Sequence, residues 1–130
     1  MIVLDASALV ELLLNTARGQ AVAALVEDPG ISLHVPHLAD LEIAQALRRY
    51  TRDGELDAND AEAALEELSA LDLQRHAHEP FLSRIWELRK NLTAYDAAYV
   101  ALAEALDARL LTCDVRLARA PGMSKRVEVV

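Results

Sequence analysis

MIVLDASALVELLLN, residues 1–15, changes its periodicity at Asp5. Before it, Ile2-Val3-Leu4 is a short apolar run, the pattern of a strand buried on both faces. After it, from Ala6 to about Asn15, the apolar spacing turns helical. A strand that passes straight into a helix opens a β-α unit, and here it leaves a carboxylate at the strand's carboxyl end.

The same alternation continues along the chain. QAVAALVED (20–28) reads as a helix stopped by Pro29-Gly30, and ISLHV (31–35) as a second strand. Pro36 is expected to open a longer helix through LADLEIAQALRRY (38–50), closed at Asp53-Gly54, where glycine suits a left-handed cap. DANDAEAALEELSAL (57–71) predicts a helix with Ala61, Ala64, Leu65 and Leu68 on one face. LDLQRH (71–76) reads as a short strand, EPFLSRIWELRK (79–90) as amphipathic, and TAYDAAYVALAEAL (93–106) as a strongly apolar helix. RLLT (109–112) is a strand, VRLARA (115–120) a short helix, and RVEVV (126–130) an edge strand. Strands alternating with helices at this spacing predict a three-layer α/β/α domain with a central parallel sheet, one domain over residues 1–130.

Composition agrees and excludes several classes. At 53% hydrophobic and 4% aromatic, the apolar content suits helices on a small sheet better than an all-β sandwich. Cys113 is alone, so no disulfide framework or cysteine zinc site can form, and a reducing cytoplasm is the expected compartment. Asp5 and Glu11 interrupt the apolar start, which reads neither as a signal peptide nor as one of the roughly 20-residue spans that cross a bilayer; no membrane is expected as a partner. A net charge of −8 argues against a general nucleic-acid coat protein. Asp53 to Glu67 carries seven acids and no base, most simply a solvated face.

Ligands of open parallel sheets bind beyond the carboxyl ends of the strands, where Asp5 and Asp114 fall. Each also precedes a helix and has a simpler reading as an N-cap. Asp96 closes Thr93-Ala94-Tyr95-Asp96, the spacing of a capping box. Glu42 lies inside a helix with no Lys or Arg three or four residues away, and shares a face with Gln45 and Arg49. Asp40 competes with it, and helical spacing does not choose between them. As a set, two strand-end aspartates, a helix-start aspartate and a helix-borne glutamate are hard oxygen donors without a supporting Cys or His pair, which suits Mg²⁺ or Mn²⁺ rather than zinc. The histidines His34, His37, His76 and His78 lack the helical spacing of a catalytic zinc motif.

IVLDASALVELL, PHLADLEIAQALRR, LTAYDAAYVALAEAL and RLLTCDVRLARA, in that order and at those separations, resemble the PIN-domain nucleases, and most of all the VapC-type toxins of bacterial and archaeal toxin–antitoxin pairs. The resemblance spans essentially the whole chain. It implies a PIN fold, places Asp5, Glu42, Asp96 and Asp114 at the family's acidic quartet as catalytic metal ligands, and resolves the competition with Asp40. Ser7 and Thr112 fall where the family often carries small hydroxyls, which orient carboxylates or serve as caps and strand-end hydrogen bonds. The implied activity is Mg²⁺- or Mn²⁺-dependent cleavage of RNA to 5′-phosphate and 3′-hydroxyl ends. The implied partners are an RNA substrate, a cognate VapB-type antitoxin and a second copy in a homodimer. Arg48, Arg49, Arg52, Arg84, Arg89, Lys90, Arg116 and Arg119 are candidates for substrate phosphates. Two non-cleaving alternatives stand beside this: a PIN-like scaffold, and a von Willebrand A-like module, whose D-x-S-x-S motif Asp5-Ala6-Ser7-Ala8 matches only in part.

Overall fold

A computed structural model describes residues 1–130. Its strands are β1 (Ile2–Leu4), β2 (Leu33–Pro36), β3 (Leu73–His76), β4 (Arg109–Thr112) and β5 (Val127–Val129). They form one sheet in the order β3-β2-β1-β4-β5, with every neighbouring pair parallel. Seven helices flank it: α1 (Ala6–Leu13), α2 (Ala17–Val26), α3 (Ala39–Arg52), α4 (Ala58–Ala70), α5 (Leu82–Glu87), α6 (Ala94–Leu106) and α7 (Val115–Arg119). This is the α/β architecture with a central parallel sheet that the sequence predicts.

β1 is the central strand because nothing in it tolerates water: Val3 and Leu4 are fully buried. It pairs Leu4 with Leu111 of β4, and the Asp5 N–H extends that pairing by donating to the Leu111 carbonyl at 3.1 Å. The chain order runs outward from β1 through β2 to β3, then returns to β4 on the other side of β1. The sheet therefore has its topological switch between β1 and β4, where the carboxyl ends of neighbouring strands diverge into different connections. α6 packs along β1, β2 and β4. Every residue from Ala97 to Ala103 in it is buried, and four of those seven are alanine, so the helix axis sits close to the sheet.

Several expectations are corrected. Pro36 does not open a helix; it ends β2, and α3 starts at Ala39. β1 pairs with β2 only as far as His34, so the missing N–H of Pro36 costs no ladder bond on that side. The helix expected over 57–71 is α4, with Ala61, Ala64 and Leu68 buried and Leu65 at the edge of the same face, 38% exposed. The stretch 79–90 divides into a 3₁₀ turn, Glu79–Phe81, with Pro80 in its first turn, where a missing N–H costs no bond, and the short α5. α2 begins at Ala17, earlier than its apolar run, with Thr16 as its cap. Gly54 follows α3 with φ +74°, the left-handed conformation expected of it. The seven acids between Asp53 and Glu67 are all exposed.

α1 and α2 meet at a bend of 105°. Gly19 allows this approach, since a Cβ there would stand 1.9 Å from the Glu11 carbonyl oxygen. No single helix is long and apolar enough to cross a membrane.

Candidate active site

At the switch point a cavity of about 560 Å³ opens over the carboxyl ends of β1 and β4. Asp5, Glu42, Asp96 and Asp114 all line it, delivered by β1, α3, α6 and the turn after β4. Asp40, one residue outside the α3 stripe that faces the cavity, turns away and forms a two-pronged pair with Arg75 at 2.8 and 3.0 Å. The choice that helical spacing leaves open is thus made by what lies on either side of α3.

Asp5 is 5% exposed and the most tightly held of the four. Its Oδ1 accepts from Ser7 Oγ at 2.6 Å and from the Ala8 N–H at 2.9 Å, the second being the N-cap bond of α1. Its Oδ2 accepts from Thr112 Oγ1. Each hydroxyl in turn accepts a backbone N–H from the end of β4: Cys113 N donates to Ser7 Oγ, and Asp114 N to Thr112 Oγ1, both at 2.9 Å. Two short relays therefore connect the turn after β4 to the two oxygens of Asp5. Burial pushes the Asp5 carboxyl up, against these hydrogen bonds, and the charge of Asp96 adds to the rise.

Glu42 is half-buried, and its Oε1 accepts from Tyr99 Oη at 2.7 Å. Burial raises its pKa above the ordinary carboxylate value, the Tyr99 bond opposes that, and Asp96 and Asp5 raise it further. Asp96 is raised by burial and by Asp114. Its N–H donates to Thr93 Oγ1 at 3.1 Å, the N-cap bond that the capping-box spacing predicts. Asp114 caps α7 through the Arg116 N–H at 2.9 Å. Burial opposes its ionisation, but the hydrogen bonds and charge of Arg116 outweigh it and hold the carboxyl below its ordinary value. The capping readings of Asp5 and Asp114 are therefore correct, and both carboxylates face the cavity as well.

No three His, Cys, Asp or Glu side chains already converge on one point as a finished metal site. The donor set nonetheless fits a hard divalent cation. Four carboxylates share one cavity, three are pushed toward protonation by burial and by one another, and a cation is what relieves that repulsion.

Further residues in the cavity carry no signal in strand-end or capping patterns. Glu11 is a fifth acid one helical turn beyond Ser7, with its carboxylate bonded by Thr16 Oγ1. Arg18 reaches from α2 to the Cys113 carbonyl at 3.3 Å. All three tyrosines, Tyr50, Tyr95 and Tyr99, line the same space. Of the basic candidates, Arg49 and Arg116 are present; Arg49 makes no ion pair, and it extends the wall of Glu42 and Gln45 as the helical spacing predicts. Arg84 is engaged by Glu87 and Glu104, Arg52 by Asp53, and Arg89 lies 4.6 Å over the Trp86 ring. Cys113 follows β4 and lies buried at the cavity wall, where burial pushes its thiol up.

Comparison with known proteins places this geometry. The model of the PIN domain matches residues 2–123. The chain is 47% identical over 117 residues to ribonuclease VapC9 of Mycobacterium tuberculosis, covering 90% of this chain and 88% of that one. Among solved structures, PAE2754 from Pyrobaculum aerophilum superposes with a TM-score of 0.71 at 26% identity, covering 99% of this chain and 88% of that one. VapBC2 from Rickettsia felis, solved bound to a DNA fragment from their promoter, shares the fold at a TM-score of 0.66 and 14% identity, over 99% of this chain and 98% of that one. The von Willebrand A-like alternative falls with these matches. The chain belongs to the PIN-domain family, among the VapC ribonucleases.

Proposed function

We propose that this chain is the toxin nuclease of a toxin–antitoxin pair, hydrolysing RNA phosphodiester bonds to 5′-phosphate and 3′-hydroxyl ends with Mg²⁺ or Mn²⁺ held by Asp5, Glu42, Asp96 and Asp114. The observation that carries the reading is the gathering of these four acids, from four separate elements, into one cavity at the switch point of the sheet. When bound, such a cation lowers the pKa of an attacking water and offsets charge on the phosphate oxygens.

The protein's own part is placement. Ser7, Thr112 and the Ala8 N–H hold Asp5 in one orientation, so its oxygens meet a ligand without reorganising. Tyr99 keeps Glu42 turned inward from α3. Arg49, free of any carboxylate partner on the same wall, is the phosphate contact that keeps the RNA backbone in the cavity. The excess of acids in the cavity also suits an antitoxin that inserts a basic side chain among them. In this reading residues 1–130 act as one domain, paired with a second copy, in the cytoplasm.

The test is cleavage of structured and single-stranded RNA by purified protein with Mg²⁺ or Mn²⁺, beside Asp5→Ala and Asp96→Ala. Cleavage should require the added ion and vanish in both variants. Equal residual activity in wild type and variants would remove the quartet from the chemistry.

A further inference from the structure

The chain spends few aromatic residues, one Phe, one Trp and three Tyr, and all three tyrosines line the acidic cavity. Two have structural work there. Tyr99 is 1% exposed and bonds Glu42, and Tyr50 packs against the core. Tyr95 does neither: it is 63% exposed, its hydroxyl bonds nothing, and its ring does not pack on the core cluster. On the other helical wall Leu41 is in the same position, 76% exposed and outside the core. Each stands immediately before an acid of the cavity, Leu41 before Glu42 on α3 and Tyr95 before Asp96 on α6. Consecutive helical residues point about 100° apart, so the acid faces inward while its apolar predecessor is presented at the rim.

The charge of the cavity says what such a rim is for. Five carboxylates, Asp5, Glu11, Glu42, Asp96 and Asp114, stand against three guanidiniums, Arg18, Arg49 and Arg116, and the chain as a whole carries −8. With the cation of the proposed function held by the quartet the cavity is close to neutral, so the phosphate attraction that supplies most of the affinity of basic nucleic-acid binders is modest here. The uncharged part of the nucleotide, its base, offers the further affinity, since its faces are apolar and stack on aromatic rings. Only an unpaired base has a free face to offer, since those of a duplex are already stacked.

We infer that Tyr95, assisted by Leu41, is a stacking platform for an unpaired nucleobase of the RNA whose backbone phosphate sits at Arg49. The inference rests on the ribonuclease reading and deepens it: this site takes single-stranded or looped RNA because its grip is on the base. Tyr95 acts in specificity and binding, apart from the acids that act on the phosphate.

The experiment uses the full chain and a mixed-sequence single-stranded RNA oligonucleotide with a fluorescent label. The same oligonucleotide carrying abasic residues keeps the sugar-phosphate backbone but removes the bases. Binding is read by anisotropy with Ca²⁺ in place of Mg²⁺, and cleavage by steady-state kinetics with Mg²⁺. Tyr95→Ala should weaken binding of the intact RNA and raise KM about ten-fold, with a smaller change in kcat. Tyr95→Phe should stay near wild type, Leu41→Ala should lose less in the same direction, and the penalty of Tyr95→Ala should disappear on abasic RNA. Equal loss on intact and abasic RNA overturns the platform, as does a Tyr95→Ala variant with unchanged KM and binding; the rim would then be a protein-contacting surface. These failures leave wild-type cleavage standing. A wild type that cuts no RNA yet binds it through Tyr95 would overturn the ribonuclease reading and keep the platform.

Discussion

Tyr99 Oη and Glu42 Oε1 are 2.7 Å apart, joining α6 to α3 across 57 residues of sequence. Glu42 is the one member of the quartet with no cap or strand end to orient it, so this bond does the work that local structure does for the other three. Tyr99→Phe keeps the buried ring and removes the donor. Cleavage should fall about ten-fold, the scale of one hydrogen bond to a charged group. The bond lowers the pKa of Glu42, so the acid limb of the pH–rate profile should also move to higher pH. A profile that does not move would detach Glu42 from the rate.

Thr112 is fully buried, and its hydroxyl is shared between Asp5 Oδ2 and the Asp114 N–H. Thr112→Val is nearly isosteric and leaves a buried carboxylate short of a donor. We expect a loss of about 1–3 kcal/mol in folding stability by urea denaturation at neutral pH. Thr112→Ser, which restores the hydroxyl, should recover most of it. If valine is tolerated, the relay through Thr112 is dispensable.

Three acids of the cavity, Asp5, Glu42 and Asp96, oppose folding at neutral pH. For Asp96, burial and Asp114 raise the native pKa above the unfolded value. A group raised in this way adds stability below its unfolded pKa and loses it as pH rises through the native one. Asp96→Asn should therefore melt higher than wild type at neutral pH while cleaving at least ~100-fold less, the scale of removing one preorganised charged contact. Mg²⁺ or Mn²⁺ should raise the wild-type Tm, by about 2.7 kcal/mol of stability at a hundred-fold excess over Kd, and raise that of Asp96→Asn much less. Removing the ion with a chelator should restore the lower Tm. Calorimetry with and without the ion checks both statements.

His34 gives a second, independent pH dependence. Its Nδ1 lies 2.9 Å from His76 Nε2, its Nε2 lies 2.8 Å from Ser32 Oγ, and the residue is buried. Burial, then the charges of His76 and of the Met1 amino group, lower its pKa below the ordinary 6.5. A lowered native pKa gives stability that is present above the unfolded value and lost as pH falls through the native one. Denaturation midpoints should drop as pH falls below about 6.5, and the drop should be shallower in His34→Asn, whose side chain does not titrate. Parallel midpoint curves for the two proteins would show that the imidazole pair is not the source.

Much of this protein is legible in its residues. The switch from IVL to a helical period at Asp5, and the repeats of that switch at ISLHV and RLLT, determine a parallel α/β sheet, because strand and helix periodicities are local and short connections allow few topologies. Asp5 and Asp114 are legible as strand-end residues for the same reason, and Asp96 as a helix-start residue. The place of Pro36 at the end of β2 is not legible, because a proline's tolerance depends on which ladder bonds its neighbours require, and the exposure of Leu65 is not legible because a leucine's burial depends on which element covers it. Neither is written in the local pattern.

What only the tertiary structure decided is direction. Spacing along α3 admits Asp40 and Glu42 equally; Arg75 on one side and Tyr99 on the other send the first to the surface and the second into the cavity. Ser7 and Thr112 are 105 residues apart in sequence and 3.2 Å apart in space, and their joint hold on Asp5 exists only once β1 and β4 lie side by side. The sequence by itself determined which acids the strands and helices carry to the rim of the sheet. The pairing of distant elements decided which of them face one another, because the partner that turns a side chain inward lies on another element of the fold.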